Sequence, residues 1–407
     1  MSALRFAVVG VGGFGSSHVE AIEWLEHEGL VRLVAIAEPN PDLHRAAVER
    51  LRNRGVHIYV DSADLLNAES EVEAVAIPAP LHLHPSLTIQ ALNAGKHVFT
   101  EKPPAVTPED IRAMLRAQEL AGKVVAVGFQ QVSQAHLRTL KARILKGALG
   151  RVEHLVAVGR WKRLDSYYER TGWAGRIRVD GYWVLDGPIN NPLSHLLNDL
   201  VFLAGQEMNQ AARPLRVRGE LYRAHPIEGE DTSCVTAELE TGATIHCYLT
   251  LCAPQQETAS VEVFGTEGDG RWQPDGHLRL THKDGKTQEG CSAEDAGGTT
   301  RAMFLNFVRS LRGEEAVFCP LCETEPFVLT SAGAYESARQ IVQIPSNYIR
   351  RYPEEGSVAT EVVDIVRIID DAAAARATYS EIGVSWARRT QWFDLEGYER
   401  FSGIGQG

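Results

Sequence analysis

The chain has 407 residues, 44% of them hydrophobic and 23% charged, the balance of a folded protein of two or three domains. Acidic residues outnumber basic ones by 53 to 41, a formal net charge of −12, and no stretch is rich in Lys and Arg, which excludes nucleic acid as a main partner. No apolar run reaches the ~18 residues of a membrane span. The apolar stretch at residues 6–11 is short, broken by glycine and followed by no cleavage site, so no signal peptide is read and a cytoplasmic protein is expected. Six cysteines in so long a chain suit reduced thiols; Cys319-Pro-Leu-Cys322 is a lone CxxC without a second pair, and no metal is expected.

Short β-branched runs at residues 5–9, 31–37, 72–77, 97–99 and 124–127 alternate with amphipathic stretches at about 14–27, 41–54, 85–94 and 108–121. Strand–helix alternation of this kind predicts βαβ units, a parallel sheet and right-handed crossovers. Directly after the first strand comes Gly10-Val-Gly12-Gly13-Phe14-Gly15, a G-x-G-x-x-G turn opening a helix. Such a turn brings backbone amides and the positive end of a helix to a pyrophosphate. Glu38, at the end of the second strand, stands where a carboxylate accepts bonds from ribose hydroxyls. Its charge repels a 2′-phosphate, so NAD is preferred over NADP, although Arg45 nearby leaves NADP possible in principle.

Further along, Pro80-Leu-His82-Leu-His84 and Ala94-Gly-Lys-His-Val precede Glu101-Lys102-Pro103, and Gly147-Ala-Leu-Gly150-Arg-Val follows. With the glycine turn, these segments resemble the glucose–fructose oxidoreductase / inositol dehydrogenase / rhizopine-catabolism (Gfo/Idh/MocA) family over residues 5 to about 150. The resemblance implies a Rossmann domain whose cofactor contacts include Gly10, Gly12, Gly13, Phe14, Gly15, Glu38, Pro80, His84, Glu101, Lys102 and Gln130. It implies that Lys102 binds the reacting substrate oxygen beside the nicotinamide. Gln130-Gln131 departs from the family, which often has arginine there.

Beyond residue 150 the pattern changes to longer strands at 152–160, 214–223, 232–239, 243–251 and 259–264, with Glu240-Thr-Gly242 as a hairpin turn. The expected result is an α/β Rossmann domain at residues 1–128 and an α+β domain with a large, mainly antiparallel open sheet at 129–345. Residues 346–407 are an extension packed on the second domain or on a neighbouring subunit, with an amphipathic stretch at about 358–380. Residues 160–176 are dense in aromatic rings and cations, and Arg163, Tyr168 and Trp173 are candidates for binding a hydroxyl-rich ring.

Asn191-Pro192 predicts a helix start, with asparagine at the N-cap and proline at the first helical position, and Gly205 predicts its end. Five leucines from Leu193 to Leu203 form its apolar face, while Asn191, His195, Asn198 and Asp199 share the other. By composition alone that polar side reads as a solvated surface. The resemblance makes His195 the general acid/base for a substrate hydroxyl, with Asn191 and Asp199 beside it. Many relatives carry aspartate where this chain has Asn191, so the second carboxylate is absent or moved, with Asp186 and Asp199 as substitutes.

The expected activity is hydride transfer between NAD(P) and a carbohydrate, polyol or cyclitol carbon, in a homodimer or homotetramer. The alternatives are an enzyme that retains NAD and cleaves or eliminates a glycoside through transient oxidation, and a non-catalytic dinucleotide-binding regulator.

Overall fold

The computed structural model describes residues 2–291 and 295–406, which form two compact units. The first comprises residues 1–105, 110–133 and 298–324. Its strands are β1 (Leu4–Val9), β2 (Val31–Ala37), β3 (His57–Tyr59), β4 (Ala74–Ile77), β5 (His97–Thr100) and β6 (Val125–Val127). They make one parallel sheet in the order β3-β2-β1-β4-β5-β6, the doubly wound arrangement that the alternating pattern predicts. Helices α1 (Gly15–His27), α2 (Arg45–Asn53), α3 (Ser62–Ala68), α4 (His84–Asn93) and α5 (Pro108–Ala121) connect them. Strand β3 and helix α3 escape the sequence pattern because three residues and two turns are too short to show a period. Helix α2 begins at Arg45 rather than near residue 41.

The second unit opens with α6 (Ala135–Leu145), β7 (Val152–Arg160) and α7 (Asp165–Glu169), followed by a small hairpin of β8 (Arg178–Val179) and β9 (Tyr182–Trp183). Then come α8 (Ser194–Ala204), β10 (Pro214–Arg223), β11 (Thr232–Leu239), β12 (Thr244–Thr250) and β13 (Ser260–Gly265). Three more strands follow that the periodicity did not mark: β14 (Gly268–Trp272), β15 (His277–His282) and β16 (Thr287–Cys291). Helix α9 (Asp295–Leu311) leads the chain back into the first unit. This return differs from the expected boundary, under which residues up to 345 stayed in the second domain. Its cause is an aromatic cluster: Phe304 stacks on Phe99 at 4.2 Å, and Phe307 meets Phe6 edge-on at 6.1 Å.

The rest of the second unit is α10 (Glu325–Ala338), β17 (Gln340–Gln343), a hairpin of β18 (Ile349–Glu354) and β19 (Ser357–Val362), α11 (Ile365–Ala375), β20 (Phe393–Asp394) and β21 (Gly405–Gln406). Its sheet runs β16-β15-β14-β13-β7-β12-β11-β10-β17-β21, with β20 beside β10. Most pairs are antiparallel, while β7–β12, β10–β17 and β17–β21 are parallel. Helices α8 and α10 cover one face. A Cβ at Gly219 would lie 2.5 Å from the Ala334 carbonyl oxygen, so glycine there lets α10 approach the backbone of β10.

The opposite face of this sheet is covered by the extension of the same chain. Tyr222, Cys234 and Tyr248 of the sheet share one buried cluster with Val362, Ile365, Ile369, Tyr379 and Trp386. The Tyr248 hydroxyl donates to the carbonyls of Ala372 and Ala377 at 3.0 and 2.9 Å, stitching the end of α11 to the sheet. The amphipathic stretch at 358–380 is a strand and then a helix, divided at Asp364, whose backbone is left-handed at φ 60°.

Candidate functional site

In the first unit the glycine turn is built by close contacts. Gly10 has φ +97°, and a Cβ on Gly15 would lie 2.6 Å from the Gly10 carbonyl oxygen, so side chains at either position would open the turn. The His44 ring stands against Gly12, a neighbour that no motif predicted. Gly13 is open around its backbone, and Phe14, half exposed, precedes the first turn of α1 without a side-chain cap.

Glu38 is buried at the end of β2 and is held by two amides. Its Oε2 accepts from Val11 N at 3.0 Å and its Oε1 from Asn40 N at 2.9 Å. Each oxygen retains a lone pair for a hydroxyl. Arg45 pairs with Asp42 at 3.0 Å on the surface.

The segment after β5 is tied down from several sides. Glu101 turns inward, where Oε1 lies 2.9 Å from His18 Nε2 and Oε2 accepts the Lys102 amide at 3.1 Å. His18, on α1 and enclosed by Phe14, Phe99 and Phe304, is a site residue the motifs did not reveal. Its position one turn after the glycine run was the available signal. His84 faces the carbonyls of Pro103 and Ala79 at 2.7 Å each, with burial lowering its pKa, so it anchors the loop carrying Lys102. Pro80 begins the short helical turn Leu81–Leu83 beside it. The side-chain oxygens of Gln130 and Gln131 are buried without a hydrogen-bond partner among the described residues. A glycine turn with no room for a side chain at Gly15, a carboxylate held by amides and unmatched polar atoms fit a dinucleotide.

In the second unit the expected cap is overturned. Helix α8 starts at Ser194, two residues after Pro192, with Leu193 at its N-cap. Gly205 ends it in an extended conformation, φ −68° and ψ 157°, instead of a left-handed one. Asn191 is engaged elsewhere: its Nδ2 donates to Asp186 Oδ1 at 2.7 Å, and its carbonyl accepts the Ser194 hydroxyl at 2.9 Å. Asp186 Oδ2 accepts the Gly175 amide at 2.6 Å. Local spacing favours a cap, but a buried carboxylate five residues back offers a stronger, charge-assisted bond.

His195 is half-buried in the first turn of α8. The polar side expected to face water does not: Asn198 and Asp199 are buried. Burial and, after it, the nearby Asp199 raise the pKa of the Cys247 thiol of β12, and neither Asp199 carboxyl oxygen has a hydrogen-bond partner among the described residues. Burial alone pushes the Asp199 carboxyl well up. Asp199 therefore belongs to the interior under α8, and Asp186 is the carboxylate that the structure brings to Asn191.

Behind this segment, Asn190 Nδ2 donates to the Leu185 carbonyl at 3.1 Å and Asn190 Oδ1 accepts from Ser331 at 2.6 Å. The Tyr335 hydroxyl donates to Glu230 Oε2 at 2.6 Å, and burial raises the Glu230 carboxyl to about 8. Within residues 160–176, cations occupy the aromatic faces. Arg163 lies over Trp161 and Tyr167 at 4.7 and 5.1 Å, and Arg170 over Tyr167 and Trp173 at 3.6 and 5.6 Å. Tyr168 lines a cavity of about 430 Å³ with Asp165, Ala174, Arg176, Ile227 and Glu228. Among the described residues no helix is long and apolar enough to cross a membrane.

The first unit has the fold and glycine turn of a dinucleotide-dependent oxidoreductase. Family models match in both units: an oxidoreductase family with an NAD-binding Rossmann fold over residues 4–129, and the GFO/IDH/MocA C-terminal domain over 137–270. The chain belongs to the Gfo/Idh/MocA oxidoreductases, and its cofactor is NAD. Inositol 2-dehydrogenase of Klebsiella pneumoniae subsp. pneumoniae is 28% identical over 271 residues, 66% of this chain and 74% of that protein. The dTDP-3,4-didehydro-2,6-dideoxy-alpha-D-glucose 3-reductase of Streptomyces violaceoruber is 29% identical over 287 residues, 68% and 77% of the two chains. Among solved structures, the WlbA dehydrogenase of Bordetella pertussis in complex with NADH and UDP-GlcNAcA is 27% identical, with a TM-score of 0.68 over 83% of this chain and 97% of that one.

Proposed function

We propose that this protein is an NAD-dependent dehydrogenase or reductase acting on a CH–OH carbon of a cyclitol or sugar, free or nucleotide-linked. The amide-held Glu38 carboxylate at the end of β2 carries the cofactor side of this reading. Relatives named for inositol, a dTDP-sugar and UDP-GlcNAcA support the substrate class.

Bound NAD supplies the hydride acceptor or donor. Glu38 receives the adenosine ribose hydroxyls, and the first-turn amides of α1 receive the pyrophosphate. Lys102, on the loop held by His84, binds the reacting oxygen, where its ammonium favours the charge that develops during transfer. His195 exchanges the hydroxyl proton. Asp186 accepts from the Asn191 side-chain nitrogen, a bond that fixes the orientation of the Asn191 amide beside the substrate. Asn191 cannot hold a proton, so the hydroxyl proton is assigned to His195.

The test is a screen of inositols, free sugars and nucleotide-linked sugars with NAD, reading formation of the reduced cofactor. Lys102→Ala and His195→Ala should each lower kcat by about 100-fold or more with NAD affinity unchanged. Affinity for NAD lost in parallel with rate would refute the assigned roles.

A further inference from the structure

We propose that His225, Asp231 and Cys252 form a binding site for one soft divalent cation, zinc by the chemistry of its donors. All three residues are buried, and their ligand atoms lie within 4.8 Å of one another. None of them belongs to the machinery assigned above.

Hydrogen-bond accounting leads to the site. His225 Nε2 lies 3.0 Å from the Arg163 carbonyl oxygen, which can only accept, so the ring proton sits on Nε2. Nδ1 then presents a lone pair to Asp231 Oδ2 at 2.9 Å and to Cys252 Sγ at 3.4 Å. Asp231 Oδ2 already accepts the amides of Ala224 and His225 at 2.8 and 2.7 Å, while Oδ1 is buried without a hydrogen-bond partner among the described residues. An imidazole nitrogen, a carboxylate and a sulfur thus converge within 4.8 Å of one another.

A second proton on the imidazole is the competing occupant. It would bridge Nδ1 and Oδ2, with the Cys252 thiol bonded to the Asp231 carboxylate. A divalent ion engages all three groups. With a thiolate and a carboxylate it makes a set of zero net charge, which a site without solvent requires. Cys252 gives up its proton to solvent as its sulfur takes the metal. Sulfur and imidazole donors select zinc over magnesium or calcium, and an outer bond from Nε2–H to a backbone carbonyl is the usual companion of a metal-bound histidine.

Tyr168 adds an independent observation. Its ring lies 5.0 Å from the His225 ring, its buried hydroxyl has no hydrogen-bond partner among the described residues, and burial, followed by the neighbouring Asp231, holds that hydroxyl well above the ordinary tyrosine range. The metal ties the loop carrying Arg163 and Tyr168 to the 224–231 turn and to the residues after β12, and so sets the wall of the adjoining cavity.

The experiment uses the full chain, dialysed against zinc and then against metal-free buffer, with metal content measured by mass spectrometry. The expected result is about one zinc per chain, lost in Cys252→Ser and in Asp231→Asn and retained in Cys234→Ser, a buried cysteine outside the cluster. Cobalt added to the metal-free protein should give a thiolate-to-metal absorption band that Cys252→Ser abolishes. Should the variants fail to fold, the zinc content and cobalt band of the unaltered chain decide. No retained zinc and no cobalt band would overturn the proposal in favour of a protonated imidazole.

Discussion

Replacing Asn191 with aspartate changes no volume but turns a donor into an acceptor. The amide nitrogen that now bonds Asp186 Oδ1 at 2.7 Å becomes a carboxylate oxygen facing a carboxylate. With charge centres about 4 Å apart and an effective dielectric of about 20, the repulsion is about 4 kcal/mol. Water reaching the half-buried position 191 screens part of this, leaving an expected loss of about 2–4 kcal/mol near pH 8. As the pH falls, one proton enters the pair and an O–H···O⁻ bond replaces the repulsion. The folded variant therefore binds a proton that the unfolded chain has released, so its stability decreases as pH rises. Urea unfolding of both proteins at about pH 5 and about pH 8 measures the effect, with the deficit shrinking to roughly 1 kcal/mol or less at the lower pH. Asn191→Ala, which removes the donor without adding charge, should lose about 1–3 kcal/mol with a much weaker pH trend. An Asn191→Asp deficit that is the same at both pH values would show that the two side chains are not bonded, and Asp186 would lose its place as the substitute carboxylate.

The Glu230 carboxyl, raised by burial from 4.5 to about 8, contributes stability that is fully present below about 4.5 and is lost as pH rises through about 8. Glu230→Gln keeps an acceptor for the Tyr335 hydroxyl and should flatten that part of the stability–pH curve; an unchanged slope would mean that Glu230 is ionised in the folded chain. Glu38→Ser should cost about 1–3 kcal/mol by stranding the amides of Val11 and Asn40, and should relax discrimination against NADP. Tighter binding of NADP than of NAD by the unaltered protein in a titration would defeat the role given to Glu38. A chain ending before residue 345 uncovers Tyr222, Cys234 and Tyr248 and should self-associate or precipitate during light scattering; a soluble monomer would show that the extension is not what covers that face.

Local pattern alone determined much of this protein. Strands at 31–37, 152–160, 214–223 and 232–239, and the helix at 108–121, have the bounds read from the sequence, because each is a regular run with one consistent period. The glycine turn and Glu38 were legible for a similar reason: a strand, a tight turn and a helix start are adjacent in sequence, so the residues that shape them are neighbours.

What the tertiary structure decided involves partners distant in sequence, or a choice between competing bonds. Asn191 and Pro192 satisfy every local rule for a helix start, yet Asp186 takes the asparagine side chain and the helix begins later. Asp199 and Asn198 look solvent-facing by their spacing in α8, but whether that side meets water depends on what the sheet and α10 place around it. His18 meets Glu101 across 83 residues, and Cys252 meets His225 across 27. A one-dimensional period reports which residues share a face, not what lies opposite; the sheet register and the return of the chain through α9 supply that, by bringing remote side chains into a common interior where each polar atom must find a partner.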